Sequence, residues 1–281
     1  MRETRQVEEV EEVKEVDEKS GGVAAFFDLD GTLACLPSLE KRFFLMLRYR
    51  KLIGFRNYFL WLAEALRLIP RGINQVIQAN KMYLRGVRVA EGPGGTGIPV
   101  PLFAEGIERV AWHAQRGHLV VIVSGTLEFL ALRAARSLEA ELGARGLTCT
   151  IRVCATRLEE KGGRWTGRIA GDAMFGEAKA RAIRRIAAEE NLDVRRCFAY
   201  GDSASDRWML ESVGKPAAVN PSNDLARVAR RNDWAVLKWG KEKTSTWRTQ
   251  SAQRTQRSRS GKTDEIGDGL QMSGNKAGFG A

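Results

Sequence analysis

Short, continuous apolar runs alternate with amphipathic stretches from Gly21 onward, and few folds accommodate that pattern. The apolar runs cover residues 23–27, 118–123 and 197–200, and the segments AAVN and AVLKW add two more. The amphipathic stretches cover residues 104–117, 127–143 and 177–192. Strands that are apolar throughout need helices on both faces of their sheet. The sequence therefore predicts the α/β class, with a doubly wound parallel sheet.

Two segments depart from this alternation. Residues 155–171 carry the pair Gly162-Gly163 between polar-apolar segments, which is typical of a β-hairpin. Residues 34–104 place about seventy residues between the first strand and the next helix, far more than an ordinary connection. Three helical patterns fill most of this insertion, so we predict a helical cap inserted after strand 1. The helical patterns cover residues 39–52, 56–69 and 73–86, and the predicted core comprises residues 21–33 and 105–240.

The two ends of the chain are polar and differ in charge. Residues 1–20 carry eight acidic against four basic side chains, and residues 241–281 carry eight basic against four acidic ones. Neither segment has enough apolar residues to form a core, so we predict an acidic N-terminal tail and a basic, low-complexity C-terminal tail. Basic charge suits nucleic-acid binding, but the basic half of the C-terminal tail holds a single aromatic residue for stacking. We interpret both tails as solvated.

The cysteine pattern indicates a reduced environment. No CxxC pair occurs among the four cysteines, and the two histidines have no companions at zinc-ligand spacing. These features favour a cytoplasmic protein without structural zinc. The acidic N-terminus lacks the apolar region of a secretory signal, and no run of about eighteen uncharged apolar residues indicates a spanning helix.

Three predicted strands end in clusters of polar residues. Parallel α/β sheets bind ligands at the edge formed by the carboxyl ends of their strands. Capping of turns would explain any one cluster, but three clusters at one edge, with four carboxylates, indicate a site. In chain order, the clusters contain Asp28 and Asp30, then Ser124, Gly125 and Thr126, then Asp202 and Asp206.

The four carboxylates point to a cation and to phosphate chemistry. Carboxylates that share a pocket repel one another unless a positive group holds them. Mg²⁺ suits such oxygen ligands and keeps open positions for water and phosphate oxygens. Ser124 supplies a hydroxyl, and we expect the backbone N–H groups of Gly125 and Thr126 to open a helix, which together predict a phosphate site. The pattern therefore indicates phosphoryl transfer.

Three segments resemble known ligand-binding motifs but lack features that those motifs require. The segment GPGGTG at residues 92–97 has the spacing of a dinucleotide fingerprint, but Pro99 and Pro101 prevent the helix that must follow. We interpret it as a flexible hinge. The segment SGKT near the C-terminus lacks the first glycine of a P-loop. An EF-hand starting at DLDG would need Gly and Glu where Leu33 and Leu39 stand.

Four short motifs, in order along the chain, resemble those of the haloacid dehalogenase (HAD) superfamily. They are Asp28-Leu29-Asp30-Gly31-Thr32, Ser124 in VIVSGT, Lys179 in FGEAKA, and GDSASD at residues 201–206. The text GGRWTGRIAGDAMFGEAKA and the insertion after the first motif are similar to the phosphoserine phosphatase-like branch, subfamily IB, whose insertion is called a C1 cap. The resemblance covers about residues 22–240 and leaves out both tails.

The resemblance implies a phosphatase with Mg²⁺ as cofactor, and a catalytic role for three residues. Asp28 would be the nucleophile and would form an aspartyl-phosphate. Asp30 would protonate the leaving alkoxide and then deprotonate the attacking water. Lys179 would spread positive charge over the phosphoryl oxygens and the carboxylate of Asp28.

The resemblance also implies binding roles. Mg²⁺ would be held by Asp28, the backbone carbonyl of Asp30 and Asp202. The phosphate would be bound by Ser124 and Gly125 together with Lys179. Asp206 would hold metal-bound waters or Lys179 without binding the metal itself.

The residues after the first motif do not support phosphoserine as the substrate. Phosphoserine-specific members of the branch carry a glutamate nine positions after the nucleophile, where this chain has Pro37. Glu40 stands three residues further, and a shifted register is needed to bring it in. Residues 41–71 hold eight bases against one acid, with seven aromatic residues between Phe43 and Trp61. This composition suits an ordinary cap with basic outer faces or a surface that meets anionic headgroups.

We therefore predict a Mg²⁺-dependent phosphatase that acts on a small phosphorylated substrate of unassigned identity. A lysophospholipid or glycerol-phosphate type of substrate, acting at a membrane, is one alternative. Transfer of the phosphoryl group to another acceptor, as in phosphomutases, is a second, and a non-catalytic membrane- or RNA-binding protein is a third. The expected location is cytoplasmic, or peripheral at the membrane through the basic aromatic cap, and nucleic acid is not expected as a partner.

Overall fold

Six parallel strands form the central sheet of the protein. The structure is a computed structural model that describes residues 21–72, 76, 78–91 and 99–240. The strands of this sheet are β1 (Ala24–Phe27), β2 (Leu119–Leu127), β3 (Ile151–Thr156), β6 (Phe198–Gly201), β7 (Lys215–Val219) and β8 (Ala235–Leu237). Their order is β3-β2-β1-β6-β7-β8, and every neighbouring pair is parallel. The predicted parallel sheet is confirmed.

Helices connect these strands. Those with described bounds are α1 (Leu39–Tyr49), α2 (Phe55–Leu68), α3 (Ala104–Ala114), α4 (Glu128–Ala144), α5 (Glu177–Glu189), α6 (Arg207–Leu210) and α7 (Asn223–Arg231). Short 3₁₀ helices cover Ile69–Arg71, Met82–Leu84, Val89–Glu91 and Ala204–Asp206. No helix in this described part of the chain is both long and apolar enough to cross a bilayer.

Strand β1 is apolar throughout because it is buried on both faces. It lies between β2 and β6, and its alternate residues enter two different apolar clusters. Ala25 and Phe27 belong to the cluster that α3 and α4 also line, and Ala24 and Phe26 belong to the cluster lined by α5 and α7. Helices therefore cover both faces, and the predicted doubly wound α/β fold is confirmed.

Strand β2 is longer than predicted. It continues through Ser124 and Thr126 to Leu127, and α4 begins only at Glu128. The prediction that the N–H groups of Gly125 and Thr126 open a helix is therefore wrong. The pairing with β3 is irregular between Ser124 and Leu127, and Ser124 Oγ accepts the Thr126 N–H at 3.2 Å. This local hydrogen bond gives the backbone an alternative to starting the helix there.

The predicted hairpin forms between β4 (Leu158–Lys161) and β5 (Arg164–Ile169), which are antiparallel. Gly162 and Gly163 connect them, with φ values of +59° and +70°. Positive φ at both central positions is the geometry of the tight turns that match the twist of a hairpin, and glycine adopts it without strain.

The insertion after β1 packs on the core through its first helix. Leu39, Phe43 and Leu47 recur at helical spacing in α1 and are buried. The Phe43 ring meets Phe129 of α4 and Trp165 of β5 edge to face, with centroids 5.1 and 6.0 Å away. The insertion therefore shares one apolar cluster with the sheet. Its division from the core at residues 34–104 stays a prediction.

Other expectations fall wholly or partly outside the described residues. The third predicted helix of the insertion, over residues 73–86, is described only in part and contains the 3₁₀ helix Met82–Leu84. The tails at residues 1–20 and 241–281 and the hinge at residues 92–97 lie outside the described residues.

A neutral imidazole is built into the core behind the sheet. His113 is fully buried, with Nε2 2.9 Å from the Tyr200 hydroxyl and Nδ1 2.8 Å from Nδ1 of His118. Burial, and then the positive charges of His118, Arg109 and Arg116, lower the pKa of His113 to about 3. His113 is therefore neutral in the folded protein at ordinary pH.

This histidine predicts acid-sensitive stability. An unfolded histidine has a pKa of about 6.5, so the contribution of His113 is fully present above that pH and declines as pH falls toward 3. The slope approaches about 1.4 kcal/mol per pH unit for one proton. In His113→Gln, the free energy of unfolding measured in urea between pH 7.5 and 5 should fall less steeply than in the wild type. His118→Gln should also change the slope, because burial lowers the pKa of His118 and its ring contacts His113. An unchanged slope in His113→Gln would contradict the account.

Candidate active site

The carboxyl ends of β1, β2 and β6 open into one cavity of about 660 Å³. The strands are neighbours in the sheet, so the residues that follow them meet at one edge. The cavity lining includes six of the predicted site residues: Asp28, Asp30, Ser124, Gly125, Lys179 and Asp202. The seventh, Asp206, is 1% exposed and lies against Lys179. The structure therefore brings all seven residues together, while their individual roles stay predictions.

Lys179 links Asp28 and Asp206. It lies in the first turn of α5, is 2% exposed, and its Nζ is 2.5 Å from both Asp28 Oδ1 and Asp206 Oδ1. Burial acts to lower the pKa of Lys179, but the carboxylates of Asp206 and Asp28 raise it more, so the pKa lies above its ordinary value. Lys179 is therefore a fixed positive charge beside the Asp28 carboxylate.

Both oxygens of Asp206 are already held. Oδ1 accepts from Lys179, and Oδ2 accepts from the backbone N–H groups of Asp202 and Ser203 at 3.2 and 2.9 Å and from the Ser203 hydroxyl at 2.8 Å. The chain approaches Asp206 so closely that a Cβ at Gly201 would lie 2.6 Å from its Cβ. Asp206 thus positions Lys179 and the loop after β6.

Three carboxylates, two of them buried and that of Asp202 half-buried, could hold a divalent cation. The ligand atoms of Asp28, Asp202 and Asp206 all lie within 4.8 Å of one another. Burial raises the pKa of Asp28 to about 7, with Lys179 opposing this shift, and burial and the charges of Asp28 and Asp206 raise the pKa of Asp202 to about 8. Because Asp206 already has partners on both oxygens, Asp28 and Asp202 are the carboxylates best placed to bind the cation. Hard oxygen donors of this kind fit Mg²⁺.

Asp30 is held by two donors that the sequence interpretation missed. Its Oδ1 accepts the backbone N–H of Leu39, the first residue of α1, at 2.8 Å, and its Oδ2 accepts the Thr126 hydroxyl. Burial raises the pKa of Asp30, while both of these hydrogen bonds act to lower it. The threonine in the segment SGT is a sequence signal for the second donor, whereas the prediction assigns a role only to its backbone N–H. The contact with α1 has no sequence signal, since it depends on how the insertion packs.

Hydrogen bonds of Thr156 help to fix the Ser124-Gly125 segment. Ser124 is 2% exposed and is one of the residues that line the cavity. Thr156 Oγ1 donates to the Gly125 carbonyl at 2.8 Å and accepts the Met174 N–H at 3.1 Å. The segment can thus present its groups to a phosphate in a fixed geometry, although it is a strand end and not a helix N-terminus.

Comparison with known proteins identifies the family. Residues 25–211 match the haloacid dehalogenase-like hydrolase family. The chain belongs to this family. A probable phosphatase of Mycobacterium tuberculosis H37Rv is 32% identical over 232 residues, which are 78% of this chain and 76% of the relative. A phosphoserine phosphatase of the same strain is 31% identical over 230 residues, which are 76% of this chain and 70% of the relative.

Solved structures share the fold. A protein of unknown function from Bordetella pertussis Tohama I has a TM-score of 0.60 at 25% identity, covering 78% of this chain and 99% of that one. A phospho-aspartyl intermediate analogue of phosphoserine phosphatase has a TM-score of 0.54 at 18% identity, covering 79% and 96%, and supports the fold alone. The predicted family, fold and enzyme class, a phosphoric monoester hydrolase, are confirmed.

The turn at Gly31 provides a test of the site geometry. Gly31 has φ +94°, and a Cβ there would overlap the carboxylate of Asp202. We expect Gly31→Ala to displace Asp202 and lower kcat/KM with p-nitrophenyl phosphate by roughly 100-fold, since small misplacements in a catalytic site have effects of that size. Gly86→Ala is the control, because Gly86 has φ +84° but nothing within 4 Å of its Cβ. Equal losses in the two variants would show that backbone strain alone, and not the contact with Asp202, is responsible.

Proposed function

We propose that this chain is a Mg²⁺-dependent phosphomonoesterase that works through a phosphorylated Asp28. The observation that carries the proposal is the buried pairing of Asp28 with Lys179, next to Asp30 in one cavity. A pure binding protein has no need of a second, separately held carboxyl group beside the first. This pairing of a fixed charge with two carboxyl groups supports nucleophilic and proton-transfer chemistry at one place.

In the first step, an oxygen of the Asp28 carboxylate attacks phosphorus. A bond forms between that oxygen and phosphorus while the bond from phosphorus to the alcohol oxygen breaks. Asp30 gives its proton to the departing alkoxide, and burial, which raises the pKa of Asp30, favours the protonated form that this requires. Lys179, Ser124 and the backbone of Gly125 bind the phosphoryl oxygens.

In the second step, water attacks the phosphorus of the aspartyl-phosphate. Asp30, now a carboxylate, takes the proton of this water, and phosphate leaves as the carboxylate of Asp28 is restored. The Leu39 N–H and the Thr126 hydroxyl hold Asp30 in place for both proton transfers. Ordering Asp30 from two sides lets one group serve as acid and then as base without changing position.

The metal would be held by Asp28, Asp202 and the backbone carbonyl of Asp30. When bound, Mg²⁺ supplies positive charge that offsets the repulsion between phosphate and carboxylates. Asp206 and Lys179 carry opposite charges behind this set, so the protein itself neutralises part of the cluster.

Removal of the nucleophile tests the proposed function. We expect Asp28→Asn to lower the hydrolysis of p-nitrophenyl phosphate by more than about 10³-fold, and EDTA to abolish the hydrolysis by the wild type until Mg²⁺ is restored. Asp224→Asn is the control, because the side chain of Asp224 is 66% exposed in the first turn of α7. Turnover at the wild-type rate by Asp28→Asn would overturn the proposal.

A membrane-facing role is a second candidate that one surface favours. Helix α2 and the residue after it expose an apolar stripe at helical spacing: Phe55, Phe59, Leu62, Leu66 and Ile69, which are 76, 58, 50, 62 and 53% exposed. Exposed basic residues flank this stripe, among them Arg56 and Arg67. An amphipathic helix of this composition is suited to the interface of an anionic bilayer.

Vesicle sedimentation tests this second candidate. We expect the full chain to sediment with vesicles that contain phosphatidylserine, and to be released at high salt because the basic residues then lose their attraction to the headgroups. Phe55→Ser/Phe59→Ser should abolish sedimentation, while Leu132→Ser, which changes a 40% exposed leucine of α4, should not. Failure of the wild type to sediment with anionic vesicles would remove this candidate.

A further inference from the structure

The insertion supplies a charged network to the lining of the active-site cavity. Glu40 of α1 lines the cavity together with Lys81 and Tyr83. Lys81 Nζ lies 2.6 and 2.7 Å from the two carboxylate oxygens of Glu40, and the Tyr83 hydroxyl donates to Glu40 Oε1 at 2.6 Å. The side chain of Lys81 is 3% exposed, so this ion pair is screened little by solvent.

The carboxylate of Glu40 already has partners within the protein, before any substrate binds. Oε1 already accepts two hydrogen bonds and Oε2 accepts one. Burial, followed by the negative charge of Glu40, raises the pKa of Tyr83, which keeps its hydroxyl a donor. Both donors are thus already paired with the Glu40 carboxylate within the protein.

This arrangement removes the partner that a substrate ammonium group would need. Among the described residues of the lining, the other carboxylates are Asp28, Asp30 and Asp202, which belong to the catalytic cluster. Lys41 also lines the cavity and adds positive charge beside the Glu40–Lys81 pair. An ammonium group bound at this part of the lining would lose its hydration. It would be repelled by Lys81 and Lys41 and would not find a counter-ion.

The insertion also contributes aromatic side chains to this part of the cavity lining. Phe44, Tyr58 and Trp61 of the insertion line the cavity, and Phe175 joins them from the loop before α5. Tyr58 and Trp61 are 39 and 36% exposed, so an apolar ligand would cover aromatic surface that now meets water. At about 660 Å³, the cavity falls within the range that buries sizeable organic ligands.

We propose that the site selects phosphomonoesters of uncharged alcohols that carry an apolar group, and that Lys81 excludes esters with an ammonium group by pairing Glu40. The inference rests on the proposed phosphomonoesterase function and names its substrate class. Lys81 acts through Glu40 and is a positioning residue, whereas Phe44, Tyr58 and Trp61 contact the alcohol portion directly.

Two isosteric esters test the charge selection. Propyl phosphate and phosphoethanolamine differ by a methyl group in place of an ammonium group, and we expect kcat/KM of the wild type to favour propyl phosphate by at least about tenfold. Lys81→Met should reduce this ratio by a similar factor, because it removes the counter-ion of Glu40 and leaves only the hydrogen bond from Tyr83. Lys81→Met/Glu40→Gln should restore the preference, a rescue that a merely structural role of Lys81 would not produce. Lys41→Met removes the same charge from the lining but leaves Glu40 paired, so its ratio should change less.

A wild type that uses phosphoethanolamine as well as propyl phosphate would overturn the inference while leaving the proposed function intact. An unchanged ratio in a folded Lys81→Met would overturn the role of Lys81. If the wild type hydrolyses p-nitrophenyl phosphate but neither ester, the substrate class proposed here is overturned and the proposed function stands. If it hydrolyses none of the three, the proposed function fails, and the Kd values of the two esters from calorimetry decide the charge selection, which an absence of binding by propyl phosphate would overturn.

A series of alkyl phosphates of increasing length tests whether the site recognises an apolar group. We expect kcat/KM to rise from ethyl to butyl to hexyl phosphate, by at most about fourfold for each methylene group that becomes fully buried. Trp61→Ala should flatten the series, and Trp208→Ala, which changes a 39% exposed tryptophan outside this lining, should not. A flat series in the wild type would contradict apolar recognition.

Discussion

The buried ion pairs of Lys179 with Asp28 and Asp206 are the interaction on which the site depends. Without Lys179, two carboxylates that are almost fully buried would lose their counter-ion, a change that typically destabilises a protein by about 3–5 kcal/mol. The pairs also join separate parts of the chain, since Asp28 follows β1, Lys179 lies in the first turn of α5 and Asp206 follows β6. Asp206 in turn holds the loop that carries Asp202. The same ion pairs therefore stabilise the fold and position the proposed catalytic groups.

The insertion is connected to this site at two points. The N–H of Leu39 binds Asp30, so the position of α1 helps to fix the proposed acid and base. One residue further, Glu40 is paired with Lys81 and Tyr83 in the cavity lining. Because α1 is anchored by Phe43 against Phe129 and Trp165, the packing of the insertion can set both the reactivity and the selectivity of the cavity.

Much of the fold and of the candidate site could be predicted from the sequence. Continuous apolar strands can be buried only in a covered parallel sheet, and that constraint places Asp28, Ser124 and Asp202 at one edge. The extension of β2 through Ser124 could not be predicted, because it depends on a hydrogen bond between a side chain and the backbone. Contacts with the insertion could not be predicted either, since Glu40 and Lys81 are 41 residues apart and meet only through tertiary packing.

The most direct test of the account is to locate the phosphoryl group during turnover. The wild-type chain is mixed with a labelled phosphomonoester and Mg²⁺, quenched in acid within a turnover, and digested for mass spectrometry. The account predicts a phosphorylated aspartate, labile to hydroxylamine, in the peptide that contains Asp28, and its absence in Asp28→Asn. Full turnover with label on Ser124, or with no labelled peptide under conditions where hydrolysis of the intermediate is limiting, would contradict it.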